Sequence, residues 1–562
     1  MNQSPYPQLN ERARGWLKHL WRKATTPDDW SINGEPHPWW DRYSTPPMAA
    51  FPRFDLADSS YAMAAMADKT PAWREVYTRI LDELVERHTT FWAFVDWLTQ
   101  IGPDPDRKKY PEIYYELLIP EHLRGEYDVP GWTANGIEPW GLQPDPIAAE
   151  GALFIKGWFN LVMGLYQYVS GDTKWHRPFE LTGYEGKKFE WTQPRVAETL
   201  AELCAKHPAG LHCENTKIWP ACMSSAGLGL QLTDTLTSAS HHWVYHEWVD
   251  YAQKHYIHRK KNGELDWLAM YYDPLIDYQH RAGDVGFAGL MTTWYMLPQK
   301  QELATRLYEL GAAEFSWNNP RVAVPEATDP RLWILGYCLA IELGDDLTAA
   351  RLRDAFHQAA EPRHFGDDDE EFGFFFGFGE DWPRGQLSAL LMMTEVGGVG
   401  AWQDIYNRPN LAKFGEPTVE GVDFPALGIA QAWNDREHGM LQVSTYSASS
   451  PRRGEATTYR VTQLPDPEMV FVRCDGVEFT QWRKLDESSI EITTNIDDHS
   501  FQIYTGYHAS SEARDDSARG TQRARAGRVV DSRASGTVRT QTVTSAVLNV
   551  GAGPVGCPCC PG

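Results

Sequence analysis

Leu332 to Leu343 reads LWILGYCLAIEL, and after Gly344-Asp345 the chain continues from Asp346 to Ala360 as DLTAARLRDAFHQAA. The first segment is apolar nearly all round, the pattern of a helix covered on both sides. The second carries Leu and Ala on one face and charge on the other, the pattern of a helix with one face in solvent. Gly344-Asp345 supplies the stop between them. An inner and an outer helix joined by a short turn make one helical hairpin.

Working outward from this pair, the same alternation occurs six times. The apolar, small-residue-rich members are Leu56 to Asp68, Ile147 to Val169, Pro220 to Leu236, Val285 to Leu297, Leu332 to Leu343 and Gly385 to Val396. Their amphipathic followers are Ala72 to His88, Arg195 to His207, His242 to His255, Gln299 to Glu314, Asp346 to Ala360 and Ala401 to Arg408. Thr70-Pro71 offers an N-cap with proline at the first helical position, and Gly171-Asp172 closes a second inner helix. Six inner and six outer helices predict a mainly α fold, an (α/α)6 barrel over residues 55–415, preceded by an N-terminal extension over 1–54. From about Gly421 the period changes to alternating runs at Met440 to Ser447, Ala456 to Gln463, Met469 to Cys474, Ser489 to Thr494 and Ser500 to Thr505. These predict a small β-sandwich-like domain over 421–507. After Tyr507 the composition turns to Ala, Arg, Ser, Gly and Asp, which cannot bury a core, so 508–562 reads as a disordered tail. Its Cys557-Pro558-Cys559-Cys560 lacks a second ligand group for a metal.

With 562 residues, 42% hydrophobic and 23% charged, the chain is long enough for a large domain and a smaller one. A net charge of -24 argues against nucleic acid as a partner. Met1 to Asn10 has no apolar signal region, and no run of about 20 apolar residues predicts a membrane span. A cytoplasmic location follows as the expectation, with Cys204, Cys213, Cys222, Cys338 and Cys474 as thiols. The 24 Trp, 25 Tyr and 22 Phe exceed what a core needs and suit a cavity for sugars or for cationic intermediates held by ring faces.

The segment His212-Cys213-Glu214-Asn215-Thr216-Lys217-Ile218-Trp219-Pro220-Ala221-Cys222 places two cysteines nine apart at the entry to an inner helix. A thiol near a helix N-terminus can act as acid, base or nucleophile, although small buried thiols are more often inert packing. The segment resembles the linalool dehydratase/isomerase family, in which a Cys-Glu pair and a second cysteine nine residues after the first sit in the active site. Leu161 to Tyr166 (LVMGLY), Ala282 to Tyr295 and Pro383-Arg384-Gly385-Gln386 are similar to the family as well, so the resemblance runs from about Asp55 to Leu391. It implies an (α/α)6 barrel that dehydrates and isomerises small monoterpene alcohols, with no metal or organic cofactor.

Asp55 and Tyr61 match a family aspartate and the tyrosine six residues after it, which implies an acid–base role for Asp55. An aspartate before an apolar helical run is also an ordinary N-cap, and Asp58 lies close by. Trp158 stands where the family carries an active-site histidine, and Gly283-Asp284-Val285-Gly286-Phe287 departs from the family pattern. The expected catalytic set is Asp55, Tyr61, Cys213 and Cys222. The expected substrate contacts are Glu214, Trp158, Phe154, Phe287, Phe374 and Phe376.

Asp367, Asp368 and Glu371 show the DDxxE spacing of a magnesium site, against the commoner reading of a solvated charge run. The run Phe372 to Phe378 after it is expected to form cavity wall. His242 and His246 are four apart but lack the HExxH arrangement of a zinc site. The expected reaction is acid-assisted loss of water from an allylic isoprenoid alcohol through a shielded allyl cation. The rival enzyme readings are a terpene cyclase that protonates an alkene and a carbohydrate-active barrel using paired carboxylates; a non-catalytic helical toroid is the third. The expected partner is a small hydrophobic substrate, and assembly into a homo-oligomer stays open.

Overall fold

The computed structural model describes residues 5–41, 52–94, 137–138, 141–142, 145–149, 151, 153–183, 186–213, 217–274, 277–281, 287–325, 330–377 and 379–507. The expected tail, 508–562, and its cysteines lie outside the described residues. Described helices are α1 (Glu11–Thr25), α2 (Pro52–Ala67), α3 (Glu75–His88), α4 (Leu153–Ser170), α5 (Gln193–Lys206), α6 (Pro220–Thr237), α7 (Trp243–His255), α8 (Phe287–Met296), α9 (Gln301–Glu314), α10 (Pro330–Leu343), α11 (Asp346–Ala359), α12 (Gly385–Val396) and α13 (Ala401–Asn407). None is long and apolar enough to cross a membrane.

Local chemistry sets their ends. Asn10 accepts from the Ala13 N–H and caps α1, Thr192 does the same for α5 from Arg195, and proline occupies the first turn of α5 and of α6. Gly171 and Gly344, both at φ +73°, end α4 and α10 in the left-handed conformation that glycine adopts without strain. The expected second inner helix starts late, at Leu153. The Asp145 carboxylate instead takes the N–H of Ile147 at 2.9 Å and holds 145–149 in a turn.

The apolar helices pack in a cycle: α2 on α4, α4 on α6, α6 on α8, α8 on α10, α10 on α12, and α12 back on α2. Small residues allow the closest approach. A Cβ on Gly157 of α4 would lie 2.8 Å from the Cβ of Ala226 in α6, and one on Gly229 would meet the backbone of Leu161 at 3.1 Å. Helices α3, α5, α7, α9 and α11 each pack on the inner helix before them, as the amphipathic pattern requires.

The sixth follower departs from expectation. Helix α13 packs on α2 and α6, and reaches other inner helices at their C-terminal ends. The Glu342 carboxylate, at the end of α10, takes the backbone N–H groups of Trp402 and Gln403 at 2.9 and 3.0 Å. Trp402 donates its Nε1–H to the Trp294 carbonyl at 3.2 Å and stacks on that ring at 4.9 Å. Asn407 bonds Pro298 past the end of α8 and accepts from Gln231 of α6. A seven-residue helix with buried Trp402, Ile405 and Tyr406 therefore covers one end of the cycle. The outer position beside α12 is taken by α1, which packs on α3, on α12 and on the hairpin of Glu361–Phe365 with Glu371–Phe375.

The C-terminal β region holds a five-stranded sheet ordered Leu427–Asp435, Met440–Ser447, His499–Tyr504, Phe471–Cys474, Val477–Glu478, and a four-stranded sheet ordered Thr418–Glu420, Ala456–Thr462, Ile490–Asn495, Trp482–Lys484. All these pairings are antiparallel. Tyr459 of one sheet meets Phe501 of the other edge to face at 5.8 Å. Leu427–Asp435 escaped the sequence pattern because small and polar residues fill it, with Gln431 wholly buried and bonded to the carbonyls of Tyr6 and Pro7. The region is tied to the helices through Ala72, whose N–H bonds the Ala432 carbonyl and whose carbonyl accepts from Val419 at 2.7 Å. Phe424 wedges between Trp21 and Trp73.

Candidate active site

Three polar residues of α2, Asp55, Asp58 and Tyr61, are spaced three apart. Each step of three turns about 60° short of a full circle, so they face progressively different neighbours. Asp55 faces α1 and the start of α12. Its carboxylate lies 2.5 Å from Lys23 Nζ and accepts from the Asp41 N–H at 3.2 Å and the Ser59 hydroxyl at 3.2 Å. Burial pushes the Asp55 carboxyl upward, and the Lys23 ammonium opposes that push. Gly385 has no alternative here, because a Cβ would sit 1.9 Å from Asp55 Oδ2. The Asp41 carboxylate takes the N–H groups of Gly385 and Gln386 at 3.0 and 2.9 Å, and the Arg384 guanidinium at 3.3 Å. An anion thus caps the start of α12, where unpaired N–H groups and the helix dipole favour it.

Asp58 faces the next sector. Gln386 donates its Nε2–H to Asp58 Oδ2 at 2.8 Å. Burial pushes the Asp58 carboxyl up to about 8, opposed by the Gln386 hydrogen bond and by the Arg331 guanidinium and reinforced by the negative charges of Asp55 and Asp41. A value near 8 favours the protonated form of this buried carboxyl at neutral pH. The thiol of Cys338, on α10, feels the same surroundings: burial first, and then the Asp58 charge, drive it upward, while its Sγ–H points to the Leu390 carbonyl at 3.3 Å.

Tyr61 faces the interior of the cycle. Its hydroxyl stands 3.4 Å from that of Tyr295 on α8, three places away and so opposite in the cycle. Burial, and for both the nearby Asp58 charge, hold these phenols protonated. Trp158 of α4 lies 6.3 Å from the Tyr295 ring and 5.0 Å from Phe54, and Trp402 lies 5.4 Å from Tyr61. Tyr61, Trp158, Tyr295 and Trp402 thus bring their rings together inside the cycle. Two of these, Tyr295 and Trp402, were not among the expected site residues.

The cysteine segment enters from α6, which α4 separates from α2. Cys213 is buried, its N–H on the Lys217 carbonyl at 2.8 Å, with His212 bridged to Ile218 and Ile218 to Tyr272. Lys217 is sealed from solvent and paired with Asp273 at 3.2 Å. Cys222, also buried, is the third residue of α6. Glu214 lies outside the described residues, as do the side chains of Phe154 and Phe287 on α4 and α8.

Phe374 and Phe376 lie in and just after a strand. The run expected as cavity wall is a strand, Glu371–Phe375, paired with Glu361–Phe365 and lying against α1. Phe374 packs on Phe372 and on Phe356 of the outer helix α11, and its N–H meets Ser388 on the side of α12 away from Asp58. Phe376 continues the same outer layer, its N–H on Glu380 at 2.5 Å. The acidic run is engaged from α1: Glu371 with His19 and Arg22 at 2.8 and 2.7 Å, Glu370 with Lys18, and Asp368 with Lys18 at 3.8 Å. Among the described residues, three potential metal ligands come together at Cys474, Asp475 and His499 in the β region, not at the DDxxE spacing. His242 bonds Gln299 at 2.8 Å and meets His246 edge-on.

Sequence would have pointed to Gln386 through the Pro383-Arg384-Gly385-Gln386 stretch, but nothing in the chain pairs it with Asp58. Arg331 carried no local signal.

Among solved structures, the chain is similar to an alpha-amylase from Clostridium perfringens, at 9% identity over 61% of this chain and 85% of that one, with a TM-score of 0.33. A GH76 alpha-mannanase from Bacteroides thetaiotaomicron matches at 9% identity, 64% and 89% coverage and a TM-score of 0.34. Endoglucanase CelQ from Clostridium thermocellum, complexed with cellotriose, matches at 11% identity, 89% and 90% coverage and a TM-score of 0.32. Likenesses this slight carry no argument about the site. The family comparison agrees with the cysteine segment: residues 133–365 match the linalool dehydratase/isomerase family.

Proposed function

We propose that this chain is a cofactor-independent lyase/isomerase that removes water from an allylic isoprenoid alcohol, or returns it, inside an (α/α)6 barrel formed by the cycle of inner helices. The observation that carries the reading is a carboxyl held protonated, Asp58, beside two phenols and two indoles that come from separate helices into one interior. Asp58 donates its proton to the substrate hydroxyl as the C–O bond breaks, and water leaves. The allyl cation left behind is stabilised by the faces of Tyr61, Tyr295 and Trp158, and exclusion of water protects it. Loss of a proton from the adjacent carbon gives a diene; return of water at the other end of the allyl unit gives the isomeric alcohol.

The proton removed from carbon is proposed to go to the Asp58 carboxylate left by the first step, or to Cys213 or Cys222 acting as a thiolate, with Glu214, Phe154 and Phe287 as further substrate contacts. Asp55, the acid expected from the resemblance, is supported in a different capacity. It pairs with Lys23, and its charge is one of the influences that raise the Asp58 carboxyl. The test is to incubate wild type, Asp58→Asn, Asp55→Asn, Cys213→Ala and Cys222→Ala with linalool, geraniol and farnesol, and to identify products by mass spectrometry. Asp58→Asn is expected to lose about 100-fold or more in kcat. Full turnover in Asp58→Asn would end its assignment as the acid, and full turnover in both cysteine variants would end the thiol role.

A further inference from the structure

Gln386 is 3% exposed, and its two amide atoms are treated unequally. Nε2 donates to Asp58 Oδ2 at 2.8 Å, whereas Oε1 is buried with no hydrogen-bond partner among the described residues. A buried carbonyl oxygen left without a donor carries a desolvation cost that native structures seldom accept without a use. The backbone leaves this amide little freedom. Its own N–H and that of Gly385 are fastened to the Asp41 carboxylate, and Gly385 is pressed onto Asp55. The first turn of α12 is thereby fixed before any ligand arrives, the condition for a preorganised contact.

Resting on the dehydratase/isomerase reading above, we propose that Gln386 is the residue that recognises the substrate's hydroxyl hydrogen. Oδ2 of Asp58 is occupied by the Gln386 amide, so its acidic proton sits on Oδ1. A substrate hydroxyl placed between them accepts that proton on its oxygen and donates its own hydrogen to Gln386 Oε1. Every polar atom of the pair is then satisfied, and the C–O bond to be broken is oriented by two contacts instead of one. The substrate class follows: a free alcohol, and not its ether or ester, because those leave Oε1 without a donor. Gln386 is a specificity and positioning residue, and the proton transfer belongs to Asp58.

The test uses the full chain as wild type, Gln386→Met, Gln386→Ala and Gln386→Glu. Linalool, geraniol and farnesol are each compared with their O-methyl ethers, binding being followed by calorimetry and turnover by mass spectrometry. Wild type is expected to prefer the alcohol by about 10- to 100-fold. Gln386→Met and Gln386→Ala are expected to bring alcohol and ether within about threefold. Gln386→Glu keeps an acceptor oxygen and so keeps the preference, while its pH profile moves because Asp58 exchanges an amide donor for a carboxyl neighbour. A folded Gln386→Met or Gln386→Ala that still prefers the alcohol overturns the assignment and leaves the dehydratase reading standing, provided the alcohols are turned over. Wild type that neither binds nor converts any of the alcohols overturns both.

Discussion

Lys23 of α1 and Asp55 of α2 approach to 2.5 Å with 2% and 0% of their side chains exposed, so one full charge pair is buried where the N-terminal helix meets the inner cycle. Taking both charges out of water costs more than a surface pair would, and removal of one partner strands the other. Lys23→Met is therefore expected to destabilise the protein by about 3–5 kcal/mol in urea denaturation. The double variant Lys23→Met with Asp55→Leu should recover a large part of that loss. An unchanged midpoint in Lys23→Met would mean that the pair is not buried in solution.

Gly385 tests the same junction sterically. A Cβ there would fall 1.9 Å from Asp55 Oδ2, inside any allowed contact, and the capped first turn of α12 cannot give way without releasing Asp41. Gly385→Ala should cost about 1–3 kcal/mol, as overpacking does. Combination with Asp55→Ala, which clears the clash, should cost less than the two single losses added together.

The pH dependence of stability follows from Asp58. Its folded-state value of about 8 lies above that of the unfolded chain, so the native state holds a proton that the unfolded state has released. The stabilisation from this site is fully present below the unfolded value near 4 and is lost as pH rises to about 8. Denaturation midpoints measured from pH 4 to 9 should fall across that window in wild type, and the Asp58→Asn profile should be flatter. If the proposed acid role holds, the rate profile should also fall on the alkaline side near pH 8.

Trp402 carries the contact between α13 and the inner helices. It is 1% exposed, stacks on Trp294 and lies against Tyr61. Trp402→Ala should lower stability by about 3–5 kcal/mol. Because Trp402 backs Tyr61, the same variant should raise KM more than a substitution on the outer face of α13, such as Arg408→Ala. Equal kinetics for the two would separate α13 from the site.

Residues 332–360 and four comparable pairs were legible because burial on two faces and burial on one face leave different patterns in a single chain. The inner helices had to be apolar all round and rich in Gly, Ala and Ser to approach as Gly157 does to Ala226, and the outer ones had to be striped. The cysteine segment and the Asp55 to Tyr61 spacing were equally legible, since both are local. What could not be read is everything settled by a distant neighbour. Lys18 and Arg22 pair with, and His19 hydrogen-bonds, an acidic run some 350 positions away, which turns a candidate magnesium site into a structural clamp. The sixth outer place is filled by α1 and not by the helix that follows α12, because the hairpin of Glu361–Phe365 and Glu371–Phe375 offers α1 a matching face.

The same division runs through the site itself. Sequence by itself determined that an acidic, tyrosine-bearing turn begins the first inner helix and that two thiols flank the third. It could not determine how the surroundings of the two aspartates differ, because Asp55 and Asp58 are set apart by about 60° of rotation about one helix axis. Only the tertiary structure decided that this rotation turns one carboxylate onto a buried lysine and the other toward Gln386 and the aromatic interior. A side chain's proton affinity is set by the dielectric and charges around it, and those are supplied by helices the local sequence never names.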